Sequence, residues 1–411
     1  MTKTTMRYLA ALGIVLAAAA CNSDELFHNT TEDPVNPLFA RYVSMGNSIT
    51  AGFQSAGIND STQRLAYPVL LARQMHTPFY QPLLNKPGCP PPFTNVFTQA
   101  RLAGGTSTSC FLRESQTPPP PFINDVAVPG ATASSPTNNL APGSNSNQLT
   151  AFFLGGLTQI GMMRKVQPTF ITVWIGNNDV LGAATDQTHP GDSLEVTDTN
   201  TFRAEYKAML DSIDAIGSVK GGVLIGVADV TQIPYASLGA VYFQLKATVL
   251  AALPSFQVDT SCAPTVLGGS GDSTLVPFFY GLGLIGAAKA NPAGGPFVLN
   301  CDGDNLSITK PEFKKLHNSV VAYNAYISAQ AAARGYAFFD PNVALAQLKA
   351  DTTQVAFFPH APPDPRATTA PFGTAFSFDG VHPSAATHKL VANTLIGVIN
   401  AKYGTSLKTI P

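Results

Sequence analysis

The chain has 411 residues, 45% of them apolar and only 12% charged, with a formal net charge of −1. That apolar share supports a sizeable core and excludes a globally disordered protein. No run of Lys or Arg occurs, which excludes nucleic acid as the main partner, because phosphate binding needs clustered positive charge.

In chain order, residues 1–21 read as an export signal. Lys3 and Arg7 give a positive start, and residues 8–20 form an uncharged apolar run that ends in Leu16-Ala-Ala-Ala-Ala-Cys21. The run is too short for a comfortable membrane span. Its small-residue approach to Cys21 resembles a bacterial lipobox, which implies lipidation of Cys21 and anchoring to the outer membrane, on its periplasmic or surface face. The acidic Ser23-Asp24-Glu25 that follows is similar to a surface-export tag. The alternative is an ordinary signal peptide ending at an Ala-x-Ala site. Residues 22–37 are polar, contain Pro34 and Pro37, and read as a tether.

From residue 38 to 402 the pattern is one α/β domain. Strands are expected at 42–45, 170–174, 222–227 and 336–339, and helices at 148–166, 201–216, 311–333 and 385–401. Leu65, Val69, Leu70 and Met75 add a helical spacing after the first strand, and Ser384 stands where the last helix needs a cap. Strands that are apolar throughout, alternating with helices, imply a parallel sheet covered on both faces. Two stretches break the rhythm, 79–122 and 230–309, and read as loop-rich insertions; residues 403–411 form a tail. The apolar runs at 240–253 and 275–288, with Phe278, Phe279 and Tyr280, suit either an acyl-chain pocket or the insertion's own core.

Four cysteines remain besides Cys21. An even number in an exported chain favours disulfides. Three pairings are possible; Cys89–Cys110 and Cys262–Cys301 are favoured because each brackets one insertion. No two of these cysteines have the close spacing of a zinc site, so no metal is expected. A calcium loop at Asp302 fails as well, since Leu306 stands at its fifth position.

Four short motifs carry chemistry. Gly46-Asn47-Ser48 follows the first strand, where a serine at the bend presents its hydroxyl at the carboxyl edge of the sheet. Alone, that serine is as well explained as a helix cap. Asp379-Gly380-Val381-His382 places a carboxylate three residues from an imidazole, and a serine nucleophile needs such an oriented base. The other six histidines show no comparable local acceptor. Gly176-Asn177-Asn178-Asp179 closes the second strand with a side-chain amide, a suitable oxyanion donor. Gly130, after Val126-Ala-Val-Pro, can turn its backbone N–H inward.

In order, these four motifs resemble the conserved blocks of the SGNH/GDSL hydrolases. The resemblance covers about 40–402 and leaves both insertions unmatched. It implies a flavodoxin-like three-layer αβα sandwich and ester hydrolysis through an acyl-serine. Ser48 would attack, His382 would act as base, and Asp379 would orient it. The Ser48 and Gly130 N–H groups with the Asn178 amide would bind the oxyanion, without metal or organic cofactor. Asn47 departs from the family's usual Gly-Asp-Ser, losing a charge but keeping hydrogen-bonding capacity. The expected substrate is an acyl-lipid ester, with a polysaccharide O-deacetylase or a non-catalytic binding lipoprotein as alternatives. The single Trp174, inside a strand, speaks against a sugar platform.

Overall fold

The computed structural model describes residues 33–116, 119–138, 148–303 and 306–411. The export segment and Cys21 lie outside the described residues. Four parallel strands form the central sheet: β1 (Tyr42–Gly46), β2 (Phe170–Trp174), β3 (Gly221–Ile225) and β4 (Ala337–Phe339), adjacent in that order, the first three buried at every residue. Register is fixed by pairs such as Tyr42 with Phe170, Phe170 with Gly221, and Ala337 with Val223. The segment 124–128 lies along the free edge of β1, with the Ser44 N–H donating to Asn124 O, Val126 N–H to Ser44 O and Val128 N–H to Gly46 O. Counting it as the second strand, the order across the sheet is 2-1-3-4-5, that of flavodoxin-like folds.

Strand side chains alternate between two cores, as a sheet covered on both faces requires. The helices that matter here are, in chain order, α1 (Ser48–Ala51), α2 (Tyr67–Met75), α3 (Gln159–Val166), α4 (Asn178–Thr185), α5 (Thr199–Asp214), α6 (Phe278–Ala290), α7 (Lys310–Ala333) and α8 (Ala385–Tyr403). Val43, Ile171, Val173 and Leu224 face Met163, Met209, Leu316 and Tyr323 of α3, α5 and α7. Phe170, Val223, Ile225 and Phe339 face Leu71, Met75, Leu395 and Ile399 of α2 and α8. Several helix ends have a local cause. Asp198 caps α5 through the Asn200 and Thr201 N–H groups, and Ser384 caps α8 through Thr387 N–H, as expected. Gly404 at φ 63° closes α8.

One expected helix is divided, and three further details add to the sequence reading. The single helix expected over 148–166 is broken into Gln148–Leu154 and α3, because Gly155 and Gly156 take φ of 61° and 84° and Thr158 caps the second piece. The run 240–253 is helical only to Ala247. The run 275–288 splits at Pro277 into a short strand, Leu275–Pro277, and α6. The 403–411 tail is tied down, since Asn400 Oδ1 accepts from Leu407 N–H at 2.8 Å and Asn393 Oδ1 from Ile410 N–H at 2.7 Å.

Both favoured disulfides, Cys89–Cys110 and Cys262–Cys301, are present. The first insertion packs Cys89 into the main core. The second builds a core of its own from Tyr242, Phe256, Val276, Ile285, Leu299 and its disulfide. Among the described residues no helix is long and apolar enough to cross a membrane.

Candidate active site

β1 delivers its last residue, Gly46, to the carboxyl edge of the sheet. A Cβ there would lie 2.1 Å from Thr50 Oγ1, so the turn into α1 requires glycine. The Gln159 side chain holds both backbone groups of Gly46, at 3.2 Å to its N and 3.1 Å to its O. Asn47 then caps α1, accepting from Ile49 N–H, and its amide points to Asn177 Oδ1 at 3.5 Å. The turn thus forms with Asn in place of the family's Asp, and the Asn spans two of the motifs. Ser48 opens α1 and is only 6% exposed. As first residue of a helix, its N–H stands where helices leave donors without an intrahelical acceptor.

The loop before α8 brings an imidazole and a carboxylate to Ser48. His382 Nε2 is 2.9 Å from Ser48 Oγ, and His382 Nδ1 is 2.8 Å from Asp379 Oδ2. Gly380, at φ 69°, gives the turn that folds the carboxylate back onto the ring. Asp379 is saturated with donors. Oδ2 also accepts from Ala56 N–H at 2.6 Å, and Oδ1 accepts from Ser377 Oγ–H and from the Val381 and His382 N–H groups. Burial by itself would raise this carboxyl; the facing His382 ring and the His382 and Ala56 N–H groups outweigh it and bring it down to about 2. An ionised Asp379 keeps a proton on Nδ1, which leaves Nε2 free to accept the Ser48 proton. The Phe53 ring packs beside that of His382, with centroids 4.9 Å apart.

The two remaining motifs meet beside this chain. Asn178 Nδ2 donates to Ala131 O at 2.8 Å, and Ala133 N–H donates to Asp179 Oδ2 at 2.9 Å. Together these bonds fasten the loop that follows Gly130 to the start of α4. Gly130 is exposed and takes φ 83°. Asn178 thus spends one amide hydrogen on the loop and keeps the other. Burial pushes the Asp179 carboxyl up to about 7. Among the described residues no three His, Cys, Asp or Glu side chains gather as a metal site requires.

A cleft of about 710 Å³ opens on His382 and Asp379. Both insertions wall it. The first contributes Phe93, Phe97 and Arg101, and α6 of the second contributes Phe278, Phe279 and Leu282. The apolar run on α6 serves the insertion's own core, as one of the two sequence expectations had it, and it also walls the cleft, since Ile285 belongs to both. Trp174 is buried against Tyr67 and does not line it.

Sequence reasoning missed Phe53, Ala56, Gln159 and Arg101, whose contacts with the site are long-range and carry no local pattern, and Ser377, which lies only two residues before Asp379 and donates to it. It also underrated one histidine. His360 has Asp364 four residues on, 3.7 Å away, a local acceptor that the i, i+4 spacing could have suggested. His317 meets Asp229 at 2.7 Å, a contact between distant segments.

The family model for GDSL-like lipase/acylhydrolase matches residues 42–395. No curated protein matches the chain. Among solved structures the chain is similar to an acetylxylan esterase from Geobacillus stearothermophilus, at 11% identity and TM-score 0.36, over 89% of this chain and 94% of that one. It is also similar to an alpha/beta hydrolase enzyme from the metagenome of Lake Arreo, Spain, at 11% identity and TM-score 0.37, over 89% and 99%. At that level of likeness no substrate transfers from either structure.

Proposed function

The chain belongs to the GDSL-like lipase/acylhydrolase family and is a carboxylic ester hydrolase, and we propose that it cleaves esters of apolar acyl chains through an acyl-Ser48 intermediate. The observation that carries this reading is the unbroken run of hydrogen bonds from Ser48 Oγ through His382 to Asp379, opening on a cleft walled by α6.

His382 Nε2 takes the Ser48 proton as Oγ attacks the ester carbonyl. Asp379 holds the imidazolium that forms. The negative oxygen of the tetrahedral intermediate is received by the Ser48 and Gly130 N–H groups and the spare Asn178 amide hydrogen. His382 returns the proton to the departing alcohol, then activates water to release the acid and restore Ser48. An acyl chain is accommodated along Phe278, Phe279 and Leu282, where burying each methylene is worth about 0.8 kcal/mol. The reading includes export and a lipid on Cys21, for which the signal-like start and two disulfides speak.

The test is hydrolysis of nitrophenyl esters from acetyl to long acyl chains. Ser48→Ala is expected to lower kcat by at least about 10³, and kcat/KM in the parent is expected to rise with chain length. Undiminished activity in Ser48→Ala sinks the mechanism, and a sharp preference for acetyl sinks the acyl-lipid substrate. With the full chain, activity should sediment with membranes and become soluble in Cys21→Ser; an unchanged distribution removes the anchor.

A further inference from the structure

Between α1 and the first insertion the chain makes a turn at 55–58 in which Ser55 and Ala56, neither of them glycine, take φ of 55° and 50°. Left-handed backbone at such residues persists only where the surroundings hold it in place. Two sets of contacts do so. On the catalytic side, Ser55 N–H donates to Ser377 Oγ at 2.8 Å, Phe378 N–H to Ser55 Oγ at 3.1 Å, and Ala56 N–H to Asp379 Oδ2 at 2.6 Å. On the other side stands the disulfide-closed insertion. Phe93 N–H donates to Ser55 O at 2.7 Å, Ile58 N–H to Pro90 O at 3.0 Å, and Cys89 N–H to Ile58 O at 2.9 Å.

Arg101 links this insertion directly to the turn. Its Nη1 donates to Ala56 O and to Pro91 O, each at 2.7 Å, and its guanidinium lies 4.0 Å from the centre of the Phe93 ring. The peptide unit between Ser55 and Ala56 is thereby bonded at both ends, Phe93 N–H at its carbonyl and Asp379 at its N–H. Arg101 fixes the next carbonyl along. Hydrogen bonds in such a chain polarise and align one another.

We propose that Arg101 is a positioning residue for the ester hydrolysis. It locks the Ala56 carbonyl, and so aims Ala56 N–H at the carboxylate that orients His382. The inference rests on the Ser48–His382–Asp379 reading and adds to it the point at which the first insertion enters the catalytic apparatus. Arg101 also lines the cleft, so the rival role is a charge contact to substrate. The two roles differ in what they need. Positioning needs N–H donors for two carbonyls, whereas substrate contact needs the positive charge.

The experiment compares Arg101→Met, which removes the donors, with Arg101→Gln, which keeps donors without charge, on acetyl and long-chain nitrophenyl esters. Arg101→Met is expected to lose about tenfold in kcat on both esters with KM within twofold, a loss of about 1.4 kcal/mol at the transition state. The rate at which a small phosphonofluoridate labels Ser48 should fall by the same factor, and Arg101→Gln should recover most of both. Unchanged kcat with raised KM, or failure of Gln to rescue, overturns the proposal. Thermal melting of each variant reports folding. If Arg101→Met does not fold, Phe93→Leu, which removes the ring under the guanidinium, should lower kcat two- to threefold with KM unchanged, and no effect there also overturns it. Full activity in Ser48→Ala defeats the underlying triad. An inactive Ser48→Ala beside an unaffected Arg101→Met defeats only the role of Arg101.

Discussion

The α/β frame and the two insertions solve the problem of holding side chains still in different ways. In the frame, β1 to β3 are buried throughout, and apolar packing on both faces fixes the register of the sheet. In the insertions, regular elements are short and disulfides close the loops; a closure of this kind contributes on the order of 3–4 kcal/mol in the chain-entropy model. Ser48, Asn178, Asp379 and His382 all come from strand ends and loops of the frame. The aromatic walls of the cleft come largely from the insertions. The candidate reacting groups stand on the part of the molecule that burial makes rigid, and most of the cleft wall on the insertions, with the Arg101–Ala56 bond as the point where the two parts meet.

The sharpest way to test that division is to damage each side and read different kinetic constants. Asp379→Asn keeps the shape of the frame but lets the wrong His382 tautomer form. It is expected to cost about 10³–10⁴ in kcat with little change in KM, measured on any cleaved nitrophenyl ester. A loss confined to KM would assign Asp379 to binding. Phe278→Ala damages the insertion instead. It is expected to raise KM for long acyl esters about tenfold and to leave acetyl esters within twofold, as loss of buried apolar contact predicts. Equal effects on both esters would show that α6 supports the catalytic groups as well as the acyl chain.

The smallest effect comes from inside the frame and concerns stability alone. Burial pushes the Asp125 carboxyl up to about 7 although Ser44 Oγ–H and Ala127 N–H donate to it. An acid with a raised folded pKa holds its proton longer in the native state than in the unfolded chain. Its contribution to stability therefore falls as pH rises from about 4 to about 7. His388, pushed down to about 3 by burial and by the nearby His382, has the opposite sign, and its contribution is lost as pH falls below the unfolded value near 6.5. Asp125→Asn isolates the first. Relative to the parent it should gain stability between pH 4.5 and 7.5, by a few kcal/mol at most, seen as converging or crossing melting temperatures. Parallel melting curves across that range would show that Asp125 ionises normally.

The frame was legible in the sequence because its signals are local. Continuous apolar strands, a glycine after β1, a carboxylate three residues from an imidazole, and Ser384 ahead of α8 each occupy a short window. The disulfide pairing was legible because each cysteine pair encloses one irregular segment. What escaped is non-local or depends on a small conformational choice. The Gly155-Gly156 break lies inside an otherwise helical pattern, and only the φ values adopted there end the helix. Arg101 reaches the site through Ala56, more than 40 residues away in sequence, and Ser377, although only two residues from Asp379, also binds Ser55, more than 300 residues away. The oxyanion side was legible in part. Gly130 and Asn178 were singled out, but the bonds from Asn178 and Asp179 that fasten the Gly130 loop depend on three-dimensional closeness.

The five donors around Asp379 bear on how turnover responds to its surroundings. In the proposed mechanism a positive charge appears on the His382 ring and then vanishes. In an open site, water would have to turn towards that charge and back again in every cycle. Here the answering carboxylate is already aligned by Ala56, Ser377, Val381 and His382 itself, and Phe53 packs beside the ring. Little solvent has to move, so the reorganisation energy of the proton transfer is low. Viscosity or cosolvents that slow water should therefore touch substrate entry at the cleft more than the bond-making step.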